Sequence, residues 1–535
     1  MIAAKSLARR SPDGGCVLLP YEERNCTMAG RRDVLRWGAG AAAGALAGGL
    51  AGGHGAAAAA VTPLQCRPRE VAGGSPPEAG AWRQLRRSLS PAAGLYRPGS
   101  EGFGLLAAPD NLRYAHVLPA GIVACATAGD VQAAVRWAAA HGVPLAPRSG
   151  GHNYAGYSTT RGILISLRRM NSVGVRGTRL LLGGGATNSD VYAARSANLY
   201  FPGGRCGGVG VAGLALGGGL GFNDRKWGMT CDRLAETRVV LADGTLVRAA
   251  DDENADLYWA CRGGAGGNFG INTGFVFDAT PVGDRIATVF DLSFGLEAGV
   301  RLVAAVQKIL AADDAGDFDV RIGFKNAGDG QAASVVLLGQ LLGDGTTLRR
   351  IFAPVLALRP TREFIEQRRF WEAQDYLLEK PGAPDDYASK SLVPDRWLGP
   401  GTVESVVEWV RDWQPGAPGN AGYVTLFAMG GASGLPEPGE TAYPHRGATF
   451  VVDIGTHWKP DTPQDGVRQQ LARTRALHRT LSRDLETRAA YVNFPDPDLR
   501  DWQSAYYGDN YARLLEVKRR YDPSGLFRYA QAIGT

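Results

Sequence analysis

The chain has 535 residues, enough for two or three domains. Its 45% apolar and 21% charged residues are ordinary for a soluble globular protein, and 58 basic side chains nearly balance 52 acidic ones. No Lys/Arg block of the kind a nucleic-acid site needs stands in the body of the chain, so no nucleic-acid partner is expected.

Residues 1–60 read as a targeting segment rather than as fold. Arg31 and Arg32 stand as a pair, followed by a weakly apolar Ala/Gly/Leu run and then by small residues suited to cleavage. The pattern is similar to a bacterial twin-arginine export signal, a route that carries proteins already folded, often around a cofactor. A disordered Ala/Gly tail is the alternative. The run is too weakly apolar for a stable membrane span, so a secreted mature protein without a span is expected. Cys16 and Cys26 would leave with the signal, and Cys66, Cys125, Cys206, Cys231 and Cys261 remain. Five is odd, so outside the cell at least one is unpaired or otherwise used. No CxxC spacing and no HExxH occurs, and no metal site is predicted.

Residues 61–110 form a Pro/Ala/Gly-rich lead-in. The pattern then sharpens. Gly121 to Ala124 reads as a strand. Thr127 and Asp130 give a capping signal for a helix through His141, with Val131, Val135 and Trp137 on its apolar side and Gly142 as its stop. "VPLAPRS" is the next strand, which completes a βαβ unit whose exit is "RSGGHNY". Further strands follow at "GILISL", "RLLLGGG" and "ETRVVLADGTLVRA", the last with a hairpin turn at Asp243-Gly244.

Near residue 283 the texture changes. Strand-like runs ("ATVFDLSF", "DVRIGF", "SVVLLGQLLG", "GYVTLFAMGG", "TFVVDIGTHW") alternate with helical ones ("GVRLVAAVQKILAA", "VESVVEWVRDW"). This predicts an antiparallel sheet backed by helices and an α+β fold class. The last stretch, "AYYGDNYARLLEVKRRYDPSGLFR", reads as helical up to Pro523.

Glycine, at 74 residues, is roughly twice as frequent as usual. Three clusters stand out: "RSGGHN" (148–153), "PGGRCGGVGVAGLALGGGLG" (202–221) and "RGGAGGNFGI" (262–271). Glycine permits close backbone approach, so successive N–H groups can face phosphate oxygens. Three such loops at strand ends suggest a long ligand with a pyrophosphate. None is a P-loop or a Rossmann fingerprint. Gly-rich turns without a ligand are the alternative. His152 and Cys206 each sit inside a cluster, where packing does not explain them. Both are nucleophiles, and a flavin ring has two electrophilic carbons, the 8α-methyl and C6.

"RSGGHNY", the Cys206 segment, "KWGMTCDRL", "LYWACRGGAGGNFGI" and "YYGDNYARLLEVKRRYDPSGLF" run in the order seen in berberine-bridge-enzyme-like flavin oxidases, of the vanillyl-alcohol oxidase/p-cresol methylhydroxylase superfamily. The chain resembles that family from about residue 110 to its C-terminus. The resemblance implies a two-part FAD-binding domain of the p-cresol methylhydroxylase (PCMH) type, residues 111–282 completed by 495–535, with a substrate domain inserted at 283–494. It implies bicovalent FAD, through 8α-histidyl at His152 and 6-S-cysteinyl at Cys206. It also implies a cofactor cradle of Arg148, Ser149, Gly150, Gly151, Asn153, Gly207, Gly208, Val209, Gly213, Gly217, Gly218, Gly267, Gly270, Ile271, Tyr507 and Asn510. Cys66 and Cys125 match a disulfide of plant relatives, with two buried thiols as the alternative.

Relatives that oxidise alcohols or sugars use tyrosines, or a glutamate, to take the hydroxyl proton while hydride leaves for flavin N5. Here Phe494 ("YVNFPDPD") and Phe427 ("VTLFAMGG") stand where relatives carry tyrosine. Leu435 stands near the place of the plant glutamate, and Leu220 where many members have tyrosine. Tyr154, which matches the tyrosine of the family's GHxYxG motif, is the catalytic candidate. Tyr443 and His445 are further polar candidates. A substrate that needs no strong base is expected: an amine, an activated alcohol or a natural-product intermediate, with sugars less favoured. Val209 matches a family position where valine leaves room for oxygen, which implies an oxidase producing hydrogen peroxide. The alternatives are a dehydrogenase serving a quinone or protein carrier, and a flavin-loaded binding protein with little turnover.

Overall fold

The computed structural model describes residues 77–535 apart from Pro381 and Ala383. The proposed export signal and Cys66 fall outside the described residues, whereas Cys125, which the sequence offered either as its disulfide partner or as a buried thiol, is wholly buried.

The strand Gly121–Ala124 leads into the helix Ala128–Ala140. Its start is a reciprocal cap: Asp130 N donates to Thr127 Oγ1 at 3.2 Å and Thr127 N donates to Asp130 Oδ2 at 2.9 Å. It ends where Gly142 takes φ +61°. Leu145–Arg148 and Gly121–Ala124 flank Ile163–Ser166 in parallel, and Gly94–Tyr96 adds an antiparallel edge. The two inner strands are buried at every position, as parallel strands covered on both faces must be. A second, antiparallel sheet orders Val173–Arg176, Arg179–Gly183, Ile271–Asp278, Leu234–Val240 and Leu246–Ala250. Its last hairpin turns at Asp243-Gly244, with Gly244 at φ +81°.

The seven-stranded sheet is antiparallel throughout. Its order is Arg362–Arg369, Ile286–Gly295, Ser334–Leu341, Phe318–Asn326, Gly422–Ala428, Phe450–Trp458, Asp386–Leu392. The helices Gly299–Ala311, Pro400–Arg411 and Gln464–Asp484 back it, over a core that includes Phe290, Phe318, Ile322, Val406 and Leu481. Both edge strands and the Gln464–Asp484 helix escape the sequence reading. An edge strand such as "REFIEQRR" is half solvated and charged, so it lacks the apolar run that marks a central strand. The long helix buries Val467, Gln470, Thr474, Leu477 and Leu481 at helical spacing, and two of these five are polar.

The C-terminal stretch returns to the first two sheets. Trp502, Tyr506, Tyr507, Leu514 and Val517 pack in one cluster with Leu180, Leu257, Trp259 and Phe277. It forms two helices rather than one, Trp502–Tyr507 and Tyr511–Tyr521, because Gly508 at φ +48° breaks the run. Arg225 ties the parts together. Its buried guanidinium donates to the carbonyls of Phe318 at 2.9 Å and Met429 at 2.6 Å, and it pairs with Asp313 at 3.2 Å. Among the described residues no helix is long and apolar enough to cross a membrane, and no group of acidic, His and Cys side chains could hold a metal.

Candidate active site

The strand Leu145–Arg148 delivers the first glycine loop. Arg148 braces this loop from behind, donating to the carbonyls of Leu106, Ala107, Ala108 and Ser158 at 2.8–3.1 Å. The loop then passes the second cluster at backbone contact. A Cβ on Gly150 would lie 2.3 Å from Gly210 N, and one on Gly210 would lie 2.3 Å from Ser149 Oγ. Only glycine fits at both places. Asn188 fastens the second loop, donating from Nδ2 to the Cys206 carbonyl at 2.8 Å. Glu379 fastens it from the other side: Glu379 N donates to Arg205 O and Gly207 N donates to Glu379 O, each at 2.8 Å.

The three loops converge on one cavity. Ser149, Gly150, Gly151, His152, Asn153 and Tyr154 line it from the first, Cys206, Val209 and Gly213 from the second, and Gly267, Gly270 and Ile271 from the third. Other expected cradle residues stand outside the wall. Arg148, Gly207 and Gly208 lie behind the lining. Gly217 and Gly218 shape the turn instead: a Cβ on Gly217 would meet Asn493 at 2.2 Å, and Gly218 sits at φ +116°. Tyr507 is fully buried and donates to Gly264 O at 3.3 Å. Asn510 donates to Pro438 O at 2.7 Å and Thr441 O at 3.1 Å. The C-terminal stretch lines the cavity with Tyr506, Tyr529 and Gln531 in their place. Arg205, Glu379, Tyr157 and Tyr491 also line it. The sequence reading named neither Arg205 nor Glu379: the only local signal for Arg205 is its place before Cys206, and Glu379 meets the Cys206 loop through a long-range backbone pairing.

His152 Nδ1 lies 3.1 Å from Asp110 Oδ2, and Tyr387 Oη donates to that same oxygen at 3.3 Å. Burial, and then the Glu379 carboxylate, push the Cys206 thiol up to about 11, so it is protonated at neutral pH. The hydroxyls of Ser149, Tyr154 and Tyr157 are buried against the cavity without a partner among the described residues. A buried hydroxyl left this way is costly, so the wall is built for a polar ligand. Glycine-lined backbone, unpartnered hydroxyls and two nucleophiles on one cavity fit FAD.

Beside His152 and Cys206 the wall turns aromatic. The Tyr154 ring stacks on Phe494, with centroids 5.1 Å apart and planes 1° apart, and Phe427 follows at 5.8 Å from Phe494. Phe427, Phe494 and Leu220 all line the cavity, so the missing tyrosines leave a polar deficit within it. Leu435 does not belong to it and is 79% exposed. Neither Tyr443 nor His445 lines the cavity: Tyr443 is buried and His445 half-buried, with desolvation pushing the His445 pKa down to about 4. Burial, and then Asp453, raise the Tyr154 phenol well above its ordinary range. This works against the base role expected of Tyr154 and leaves it a hydrogen-bond donor at neutral pH.

Comparison with known proteins agrees with this geometry. The family described as "FAD binding domain" matches residues 119–250, and "Berberine and berberine like" matches residues 490–534. An uncharacterized FAD-linked oxidoreductase of Bacillus subtilis, YgaK, is 31% identical over 422 residues, covering 77% of this chain and 90% of its own. Xylooligosaccharide oxidase of Thermothelomyces thermophilus is 29% identical over 470 residues, covering 80% of this chain and 89% of its own. Among solved structures, Physcomitrella patens BBE-like 1 superposes with a TM-score of 0.75 at 26% identity, over 84% of this chain and 98% of its own. The chain belongs to the berberine-bridge-enzyme-like family of FAD-linked oxidoreductases.

Proposed function

We propose that this enzyme is a secreted oxidase that holds FAD by two covalent bonds, at His152 and Cys206, and oxidises a small organic molecule with oxygen as final acceptor. The observation that carries this reading is the placement of both nucleophiles on one glycine-walled cavity with unpartnered hydroxyls. The paired arginines at Arg31 and Arg32 support export. Bound FAD would supply a hydride acceptor that the side chains themselves lack.

The chain's residues do the rest. Asp110 places a carboxylate oxygen 3.1 Å from His152 Nδ1, beside the imidazole that faces the cavity. The Tyr154–Phe494–Phe427 row excludes water from the reacting face and offers a flat apolar wall. Tyr154 Oη donates a hydrogen bond to the substrate. No carboxylate or ionised phenol stands ready along that row, which favours substrates that release their own electrons, such as amines or acidic alcohols. Acid precipitation of the purified protein tests the cofactor reading: the pellet is expected to be yellow, and a colourless pellet under a yellow supernatant overturns it.

Two further outcomes follow. Tyr154→Phe is expected to slow flavin reduction about tenfold or more, the worth of one hydrogen bond in a dry site. An unchanged rate in anaerobic stopped flow removes Tyr154 from the reaction. Val209 lines the cavity beside Cys206, a small side chain at the place expected to admit oxygen. Reduced enzyme mixed with air is therefore expected to recover its yellow colour within seconds and to release peroxide, and a protein that stays bleached is not an oxidase.

A further inference from the structure

We propose that Arg205 is an anion-recognition group and that the substrate is a compact ring compound bearing a carboxylate. The inference rests on the oxidase reading above and names its substrate class.

Arg205 precedes Cys206 and lines the same cavity. It is only 8% exposed. Its Cζ sits over two rings, 4.5 Å from the centre of Phe222 and 4.6 Å from that of Phe427. Two aromatic faces restrain the plane of the guanidinium and leave its edge for hydrogen bonds. Yet the group donates no hydrogen bond to any described residue, and its Nε and Nη2 are buried without a partner. The nearest acid is Asp319, whose Oδ1 lies 3.9 Å from Nη2, close enough for charge attraction and too far for a hydrogen bond. Glu379, the other charged group on this wall, is engaged by Arg321. Burial pushes the carboxyl of Asp224 well above the usual carboxylate range, with the Arg205 charge working against that shift, and Asp224 accepts no hydrogen bond from the guanidinium.

A buried guanidinium carries five donors in a rigid fork, and leaving them empty is expensive. The fork matches a carboxylate, which takes two parallel hydrogen bonds from it. The neighbouring wall specifies the rest of the ligand. Phe427, Phe494 and Tyr154 form an aromatic row that suits a flat ring and offers little to a polyhydroxylated one. Substrate carboxylate on Arg205 and ring along this row would anchor the molecule at one end, so that binding energy far from the reacting bond serves to orient it.

Sodium benzoate, titrated into the holoenzyme, tests the idea, with benzamide as a neutral probe of the same shape. The readout is the difference spectrum of the flavin, confirmed by calorimetry. Benzoate is expected to bind saturably, and benzamide about tenfold or more weakly, as fits the loss of a charged hydrogen-bonded pair. Arg205→Met is expected to weaken benzoate by a similar factor of about ten or more while keeping its flavin, with Arg205→Lys in between. Benzamide binding as tightly as benzoate overturns the proposal, as does Arg205→Met binding benzoate like the parent enzyme. Should Arg205→Met fail to fold, the two probes on the unaltered enzyme still decide. A failed cofactor reading shows separately, as pigment released on acid precipitation, and the calorimetric titration then stands on its own.

Discussion

A protein carrying both His152→Ala and Cys206→Ala is expected to give a colourless pellet on acid precipitation, whereas each single variant keeps its pigment on the polypeptide. The argument is geometric. Both side chains line one cavity, from loops that interlock at Gly150 and Gly210, so each reaches the same ligand independently. Either bond alone survives denaturation, and only the loss of both frees the cofactor. Intact mass should show one flavin on each single variant and none on the double variant. The chemistry also sets a pH sense for the sulfur bond. The Cys206 thiol, pushed up to about 11, exposes more thiolate with each rise in pH below that value. In the His152→Ala background, the fraction of chains that capture flavin should therefore climb from neutral to alkaline pH. A yellow pellet from the double variant would mean that some third side chain holds the cofactor.

Much of this site was legible in the sequence, for a reason particular to glycine. Gly150 and Gly210 cannot carry a side chain where the loops cross, so the crossing writes itself into the composition. His152 and Cys206 stand inside the glycine clusters and were singled out there, whereas Val209 and Tyr154 came only from the family resemblance; all four line the cavity. Tyr507 and Asn510 show the limit: their segment was recognised, but burial turns Tyr507 inward and capping of the Pro438–Thr441 carbonyls occupies Asn510. Tyr506, the residue before, faces the cavity instead, as helical rotation allows. In the fold, central strands such as Phe450–Trp458 announce themselves by burial at every position. The edges do not: Arg362–Arg369 is half solvated and charged, and Asp386–Leu392, though mostly buried, is written in polar residues ("DYASKSL"). Asp110 and Glu379 carried no local signal at all. Each acquires its role from a partner far away in sequence: His152 for the first, Arg321 and the Cys206 loop for the second.

Glu379→Ala is expected to destabilise the enzyme by about 3–5 kcal/mol, the usual cost of breaking a buried ion pair from one side. Arg321 stands on the strand Phe318–Asn326 of the seven-stranded sheet, and its guanidinium meets the Glu379 carboxylate where both side chains are almost wholly buried. Burial pulls the Arg321 pKa down to about 10 even with Glu379 holding it up, and without Glu379 a buried guanidinium is left near Arg205 without its partner. Replacing both partners by apolar residues of similar volume, Arg321→Met with Glu379→Leu, should recover most of the loss, because no charge then remains buried. Thermal unfolding of the flavin-loaded proteins, scanned at one fixed rate, would rank the three. A second readout separates the pair from mere packing. The Glu379 backbone clasps Arg205 and Gly207 on either side of Cys206, so a loosened Glu379 lets the sulfur drift from its place on the cavity wall. In a His152→Ala background, where only the sulfur can retain pigment, Glu379→Ala should lower the yield of covalently bound flavin. An unfolding midpoint equal to that of the parent, with full flavin retention, would show that the Arg321–Glu379 pair holds neither the fold nor the loop that carries Cys206.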